Sequence, residues 1–408
     1  MEYSRQDVPA RTRTALALCA VGAEKAAANE LRRLGAVLED SGFGRLRFRT
    51  DTAGLYRALM ELRTADRVLL ETARFPAEDF GALFEGTRAV AWEEYLPKGM
   101  GLLVAKARTS RSRLSAETSI QSVVHKGAAE RLCRVYGMDR LPEPGKSPGA
   151  AGTAELRVYI EKDQASLLLD LSGEPLFKRG YRIEGGAAPL RETTAAAMLL
   201  LSGWRRKFPL YDPFCGSGTI LAEAALYAWD AAPGLGRRFA LEDLLIADAE
   251  IAGALREELR KRVNFDRIIR IAGSDGDART VSIAKSNLER ALDLALGRPR
   301  RDTGPERESR PDRALPQVRP LPLEEARPPE GAEEQGFIVT NPPYGKRIGD
   351  RAAAERTYGE MGKLLKRFPG WKIAVITDHP GFESFFGRKA ASFREIANGA
   401  IQSYLYQY

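Results

Sequence analysis

Three short segments hold residues whose types and spacing suit chemistry. The sharpest is Asn341-Pro342-Pro343-Tyr344-Gly345, directly after the apolar run Phe337–Thr340. Two prolines fix φ and donate nothing, so such a loop is stiff. It can hold the Asn341 side-chain carbonyl and the Pro342 backbone carbonyl as two converging acceptors. Tyr344 adds a flat apolar face suited to a planar base. The second segment is Asp212-Pro213-Phe214-Cys215-Gly216-Ser217-Gly218-Thr219, between a strand and a helix. Gly216 and Gly218 let backbone approach a ligand closely. The helix start beyond offers free N–H groups to a carboxylate or phosphate. The segment is not a P-loop, and it lacks the third glycine of a dinucleotide fingerprint. The third segment is Gly273-Ser274-Asp275-Gly276-Asp277, one crossover later. An acidic side chain there accepts both hydroxyls of a ribose or caps the following helix. Cys215 reads as a small packing residue, since no base stands near it in sequence to make it a nucleophile.

The periodicity around these segments places them at strand ends. From Ala187 onward, helix and strand alternate. Helices are expected over Arg191–Arg205, Thr219–Trp229 and Ala278–Leu296. Strands are expected ending at Asp212 and over Ile268–Ser274, Phe337–Thr340 and Lys372–Thr377. Ser392–Ile396 and Ile401–Tyr406 flank Asn398-Gly399, a strong hairpin signal. The pattern predicts an α/β fold: a mostly parallel, doubly wound sheet closing with an antiparallel hairpin. Residues 297–336 break the alternation. They hold 8 of the 23 prolines and no aromatic residue. Most of that window is expected to be a flexible insertion. A weak strand signal lies at Gln317–Leu321, where Pro320 argues against a central position.

The N-terminal half reads as α+β. Thr14–Val21 and Arg45–Arg49 are expected strands, with helices at Glu24–Leu34 and Thr52–Leu62. A second unit follows, with strands at Arg67–Ala73, Gly101–Ala107, Glu155–Glu161 and Ala165–Leu171. A helix capped by Ser115 is expected to run to Tyr136. The expected domains are 1–64, 65–172 and 173–408.

The chain has 408 residues, 44% hydrophobic and 29% charged, which excludes a wholly disordered protein. No apolar run of about 18 residues suggests a membrane span. The charged start, Met1 to Arg5, has no apolar core, so no secretory leader is expected. Three scattered cysteines make no disulfide framework and no zinc spacing, which suits a reducing cytoplasm. Two histidines, His125 and His379, leave little for a metal site, and none is expected. The net charge of +8 favours a polyanionic partner. Candidate RNA contacts are Arg108, Arg111 and Arg113, before the Ser115 helix, and Lys126 on it. Arg45, Arg47 and Arg49 line the outer face of their strand.

Together the three segments resemble class I S-adenosylmethionine-dependent methyltransferases that modify exocyclic amino groups. Further runs are similar to the THUMP-domain RNA methyltransferases. They include Leu171-Ser172-Gly173-Glu174-Pro175-Leu176, Lys178-Arg179-Gly180-Tyr181-Arg182 and Ala188-Pro189-Leu190-Arg191-Glu192-Thr193. Ala232-Pro233-Gly234-Leu235, Phe386-Gly387-Arg388-Lys389-Ala390 and Tyr404-Leu405-Tyr406-Gln407-Tyr408 fit the same group. The likeness is strongest to bacterial 23S rRNA guanine-N2 methyltransferases. It implies a ferredoxin-like domain, then a THUMP domain that captures RNA, then a Rossmann-like catalytic domain. It implies S-adenosylmethionine as cofactor. Asp212 would lie near the cofactor ammonium, flanked by Phe214 and Cys215. Gly216, Ser217, Gly218 and Thr219 would pass beneath its methionyl part. Asp275 would hold the ribose. Thr193 either touches the carboxylate or is a plain N-cap. Asn341, Pro342, Pro343 and Tyr344 would form the catalytic loop. One departure stands at Pro322-Leu323-Glu324-Glu325, where the family places an Asp beside the adenine. The implied partner is 23S rRNA or a large-subunit assembly intermediate. Alternatives are tRNA guanine-N2 methylation, adenine-N6 methylation of DNA, and a non-catalytic RNA-binding ribosome assembly factor.

Overall fold

The structure is a computed structural model. It describes residues 12–145, 152–182, 190–267, 269–297, 315–332, 334–343, 351–399 and 401–408. Two seven-stranded sheets organise these residues.

The first sheet is built from β1 (Arg13–Cys19), β2 (Val37–Gly42), β3 (Arg45–Thr50), β4 (Ala65–Pro76), β5 (Gly101–Ser110), β6 (Thr153–Glu161) and β7 (Gln164–Asp170). Its order is β2-β3-β1-β4-β7-β6-β5. Helices α1 (Glu24–Arg33), α2 (Thr52–Glu61), α3 (Phe80–Ala89) and α4 (Glu117–Tyr136) connect these strands. The elements from β1 to β4 form a β-α-β-β-α-β unit of ferredoxin-like kind. Strand β4 pairs with β1 on one side and β7 on the other, so the sheet runs unbroken past residue 65.

Alternation explains these strands. Ala15 and Ala17 of β1 and Leu46 and Phe48 of β3 are buried under the helices. Asp51 caps α2 through the Gly54 N–H at 2.8 Å. The α4 helix starts one residue later than Ser115 implies: Ala116 is its N-cap and makes no side-chain bond. It stops where Gly137 turns left-handed, at φ 60°. Strand β2 has no sequence signal, because it is an exposed edge strand with little alternation.

The second sheet holds β8 (Leu210–Asp212), β9 (Ile271–Asp275), β10 (Gln317–Pro320), β11 (Phe337–Thr340), β12 (Lys372–Thr377), β13 (Ser392–Asn398) and β14 (Ile401–Gln407). The order is β10-β9-β8-β11-β12-β14-β13. All neighbours from β10 to β12 are parallel, and β14 is antiparallel to β12 and β13. This is the expected doubly wound sheet with its closing hairpin. Helices α5 (Glu192–Leu201), α6 (Thr219–Ala228), α7 (Ala249–Arg262), α8 (Ala278–Ala295), α9 (Arg351–Gly362), α10 (Leu364–Arg367) and α11 (Phe382–Phe386) complete this half. The expected insertion at 297–336 contains the strand signalled at Gln317–Leu321. Its described residues include β10 and a 3₁₀ turn at Leu323–Glu325. Strand β10 is an edge strand, which tolerates Pro320. Residues 298–314 lie outside the described part.

A buried polar joint locks the halves together. Arg179, between them, donates to the Leu176 carbonyl at 2.7 Å, to the Arg63 carbonyl and to Glu223 of α6 at 3.4 Å. The Tyr181 hydroxyl also donates to Glu223, at 3.0 Å. Arg63 in turn donates to the Ala231 carbonyl at 2.7 Å. Elsewhere the Ala397 N–H of β13 donates to the Val21 carbonyl at 2.9 Å. Gly22 is required at that contact, since a Cβ there would sit 1.9 Å from the Glu395 carbonyl oxygen.

Removing one partner of a buried ion pair leaves an uncompensated charge. Arg179→Met is therefore expected to destabilise the fold by about 3–5 kcal/mol in urea unfolding. Adding Glu223→Gln should recover part of that loss, and a purely additive double variant would contradict the joint.

Candidate functional site

Strand order in the second sheet reverses beside β8. From there, β9 and β10 lie on one side and β11 and β12 on the other. In open parallel sheets, ligands bind outside the carboxyl ends of the strands at such a switch point. Asp212 ends β8 and Asn341 follows β11, so two of the chemical segments meet there. Asp275 ends the neighbouring β9. The topology thus gathers the residues that the sequence nominated from three distant segments.

The junction is pinned by a hydrogen bond. The Thr340 hydroxyl donates to Asp212 Oδ1 at 2.6 Å, and the Phe214 N–H donates to the same oxygen at 3.1 Å. Asp212 is 1% exposed. Burial pushes its carboxyl up to about 7, against the lowering effect of these two donors. A cation beside a carboxyl so placed would favour its ionised form.

The loop after β8 is tied down at both ends. The Cys215 N–H donates to the Ser274 carbonyl at 2.9 Å, and the Gly218 N–H to the Cys215 carbonyl at 2.8 Å. Asn287 of α8 donates to the Ser217 carbonyl at 2.9 Å. Gly216 and Gly218 have φ of 51° and 80°, where a side chain would be strained. An added Cβ at Gly216 would meet nothing closer than 4.0 Å, so the loop is open above it. At Gly218 it would lie 3.1 Å from the Ala284 Cβ, so that glycine serves helix packing. Phe214 is partly buried and packs into the core. Burial drives the Cys215 thiol above its ordinary range, which removes it as a nucleophile.

Asp275 accepts from the Gly216 N–H at 3.1 Å and from the Asp277 N–H at 3.0 Å, one on each oxygen. A carboxylate has about four acceptor positions, so capacity remains for two ligand hydroxyls. The helix-cap role falls to Asp277, which accepts from the Arg279 N–H at 2.9 Å.

Asn341 Oδ1 is buried and has no hydrogen-bond partner among the described residues. Such an orphan acceptor is costly to keep unless a ligand meets it. Pro342 is buried and Pro343 half-buried. Tyr344 lies outside the described residues.

The structure gives Thr193 a different neighbour. Its hydroxyl donates to Asp66 of β4 at 2.5 Å, and Arg191, the N-cap of α5, donates to the other Asp66 oxygen at 2.9 Å. Nearby, Arg182 donates to the Leu190 carbonyl at 2.7 Å and to the Thr219 hydroxyl at 2.9 Å. Asp66, Asn287, Arg182 and Thr340 support these segments; Arg182 falls in a run the sequence singled out and Thr340 ends the apolar strand signal, while Asp66 and Asn287 lie in no motif.

The nominated RNA contacts do not all converge. Arg108 on β5 pairs with Glu117 at 3.2 Å, and Arg113 pairs with Glu78 at 2.5 Å. Arg111 sits in the turn between them, at φ 50°. Lys126 is on α4 in the helical layer, 5.8 Å from the Phe84 ring centroid. Among the described residues no group of three or more His, Cys, Asp or Glu is placed to hold a metal, and no helix is long and apolar enough to cross a membrane.

Comparison with known proteins places this geometry. The RMKL-like methyltransferase domain matches residues 179–294 and 322–407, and the RlmL ferredoxin-like domain matches residues 14–69. A candidate RNA methyltransferase of Bacillus subtilis, YpsC, is 36% identical over 97% of this chain and 95% of its own length. The ribosomal RNA large subunit methyltransferase K/L of Syntrophotalea carbinolica is 34% identical over 93% of this chain. The chain spans about half, 51%, of that protein. Among solved structures, SMU.472, described as a methyltransferase complexed with SAH, superposes with a TM-score of 0.83 at 33% identity, covering 98% of each chain. A Listeria monocytogenes protein named an N6-adenine-specific DNA methylase gives a TM-score of 0.83 at 36% identity, covering 98% of this chain and 96% of its own. A switch-point site of the expected architecture and a relative matched almost end to end lead to one assignment: the chain belongs to the RMKL-like methyltransferase family and carries the ferredoxin-like domain of RlmL at its N-terminal side.

Proposed function

We propose that this protein methylates an exocyclic amino group in RNA, with guanine N2 of 23S rRNA the first substrate to test. The observation that carries the reading is the orphan Asn341 Oδ1, buried beside Pro342 at the switch point. An acceptor without a donor suits a ligand that brings N–H groups.

S-adenosylmethionine fits the residues present. Asp275 keeps acceptor capacity for a ribose, Gly216 leaves open space, and buried Asp212 awaits a cation such as an ammonium. When bound, that cofactor supplies an electrophilic methyl on a sulfonium. The chain's own task is to prepare the nucleophile. An exocyclic amino nitrogen is weak because its lone pair is delocalised into the ring. Asn341 Oδ1 and the Pro342 carbonyl would accept its two hydrogens and favour a pyramidal nitrogen. As nitrogen becomes positive, the same two carbonyls stabilise it. Tyr344 would stack on the extruded base. The remaining work is positioning.

Residues 65–172 are assigned to a THUMP-type unit that captures RNA. An assembling large subunit in the cytoplasm is the setting that suits three unpaired thiols and a basic chain. Adenine N6 in DNA is the second reading, favoured by what the Listeria neighbour is named for. The deciding experiment is transfer from labelled S-adenosylmethionine to purified 23S rRNA, 16S rRNA, tRNA and duplex DNA, followed by nucleoside digestion. Label in N2-methylguanosine of 23S rRNA is expected. Label in tRNA moves the substrate, and label in DNA as N6-methyladenine overturns the RNA reading.

Two further outcomes follow from the site. Asn341→Ala is expected to bind S-adenosylmethionine normally by calorimetry and to lose about 10²–10³-fold in kcat. Full activity in that variant sinks the acceptor role. Second, Asp212 ionises near pH 7 when no cation is beside it. The cofactor ammonium binds the ionised form, so affinity should rise severalfold between about pH 6 and pH 7.5. The stability of the apo protein should follow the opposite trend. The stability owed to neutral Asp212 is present below its ordinary 3.8 and is lost as pH rises to about 7. Asp212→Asn should flatten both profiles.

A further inference from the structure

The helices of the N-terminal half bury their apolar residues in one core on a single face of the first sheet. Among the described residues the opposite face carries no helix of that half. Its apolar content is small: Leu16, Leu69 and Leu168, with Leu18 and Tyr159 partly buried beside them. The rest is charged, and the strand registers set the charges side by side. Lys106 of β5 stands opposite Arg157 of β6, and Arg108 opposite Tyr159. Arg67 of β4 and Arg157 share one carboxylate, Asp170.

A groove of about 680 Å³ runs over this face. Its lining carries six cations against two carboxylates, Asp66 and Glu161. Both carboxylates are already engaged, Asp66 by Arg191 and Glu161 by Arg45. Lys106 makes no ion pair among the described residues. Burial, reinforced by Arg108, Arg157 and Arg67, holds its ammonium below the usual lysine range. Arg67 and Arg157 are paired with Asp170 and Arg108 with Glu117, so the uncompensated positive charge of the groove centres on Lys106, which an anion would neutralise.

Two aromatic rings flank the cations. Tyr159 lies in the floor of the groove. Phe43, in the turn between β2 and β3, lines its rim and is 92% exposed, so packing does not explain it. The far wall belongs to the catalytic half: Phe177 and Arg191, whose guanidinium carbon lies 4.7 Å from the Phe177 ring centroid.

We propose that this uncovered sheet face binds a single-stranded segment of RNA, with phosphates on Lys106, Arg157, Arg67 and Arg108 and bases on Tyr159 and Phe43. A cationic track interleaved with aromatic faces is the chemistry of single-strand binding. The wall formed by Phe177 and Arg191 leads that strand onto the catalytic half. The proposal rests on the RNA reading above, and its test separates the two.

The test is fluorescence anisotropy with a short fluorescein-labelled oligouridylate, and with a duplex RNA of the same length. Lys106→Glu is expected to weaken oligouridylate binding about tenfold and to reduce the salt slope by about one. Phe43→Ala should weaken it about fivefold or more through lost stacking. Lys261→Glu, an exposed change on α7, should match the wild type. Calorimetric affinity for S-adenosylmethionine should stay constant in all three variants. Wild-type binding by both Lys106→Glu and Phe43→Ala overturns the sheet-face site and leaves the RNA reading standing. Preference for the duplex overturns the single-strand assignment. A wild-type protein that binds neither RNA and labels none overturns both readings together.

Discussion

The hydrogen bond from Thr340 to Asp212 spans the place where the parallel sheet changes direction. Two strands meet there, and each is followed by one of the segments whose residue types suit chemistry. Without a tie, the orphan carbonyl of Asn341 and the loop at Gly216 would be set by separate elements. With it, one buried oxygen fixes the relation of both. The same oxygen takes the Phe214 N–H, so the loop after β8 starts from a defined point. Asp275 then closes the other side by accepting from Gly216. The site is a ring of backbone and carboxyl contacts, and its functional atoms are those left over.

A second constraint acts at longer range. Glu223 lies on the helix that follows the Gly216–Gly218 loop, and it is held by Arg179 and Tyr181. Arg179 also reaches the Arg63 carbonyl of the ferredoxin-like unit. Asp66 holds the first turn of α5 through Arg191 and Thr193. The N-terminal half is therefore fastened to the two helices that flank the site. On the proposed function, an RNA held on that half would meet the Asn341 loop at a set distance and angle. Positioning of this kind is where much of a methyl transfer's rate advantage is found.

The gathering of the candidate segments at strand ends was legible before the structure, because their residues come in runs. Asn341-Pro342-Pro343 and Asp212 to Thr219 each sit where a strand ends, and the strand signals Phe337–Thr340 and Leu210–Asp212 are short and apolar. The doubly wound sheet and its hairpin were legible for the same reason. Partner choice was not. Thr340 and Asp212 lie 128 residues apart, and Thr193 and Asp66 lie 127 apart. No local pattern encodes such pairs, since they exist only once the sheets have formed. Strand β2 was missed because an exposed edge needs no alternation. Helix α7 was missed because only Ala252, Leu255 and Leu259 of its length are buried. Within 297–336 the weak signal at Gln317–Leu321 was a true one, since an edge strand tolerates Pro320.

The order of strands in the second sheet bears on how the protein comes into being. Strand β14 lies between β12 and β13, although it follows both in the chain. During synthesis, the catalytic sheet stays open along β12 until residues 401–407 have left the ribosome. The first sheet has all seven strands once Asp170 has emerged, so it can close long before. A vectorially made chain thus has a folded N-terminal platform waiting while the catalytic half exposes an unpaired strand edge. The buried Arg63 and Glu30 near the joint sit on that early platform. They give the late half a preformed surface against which to condense.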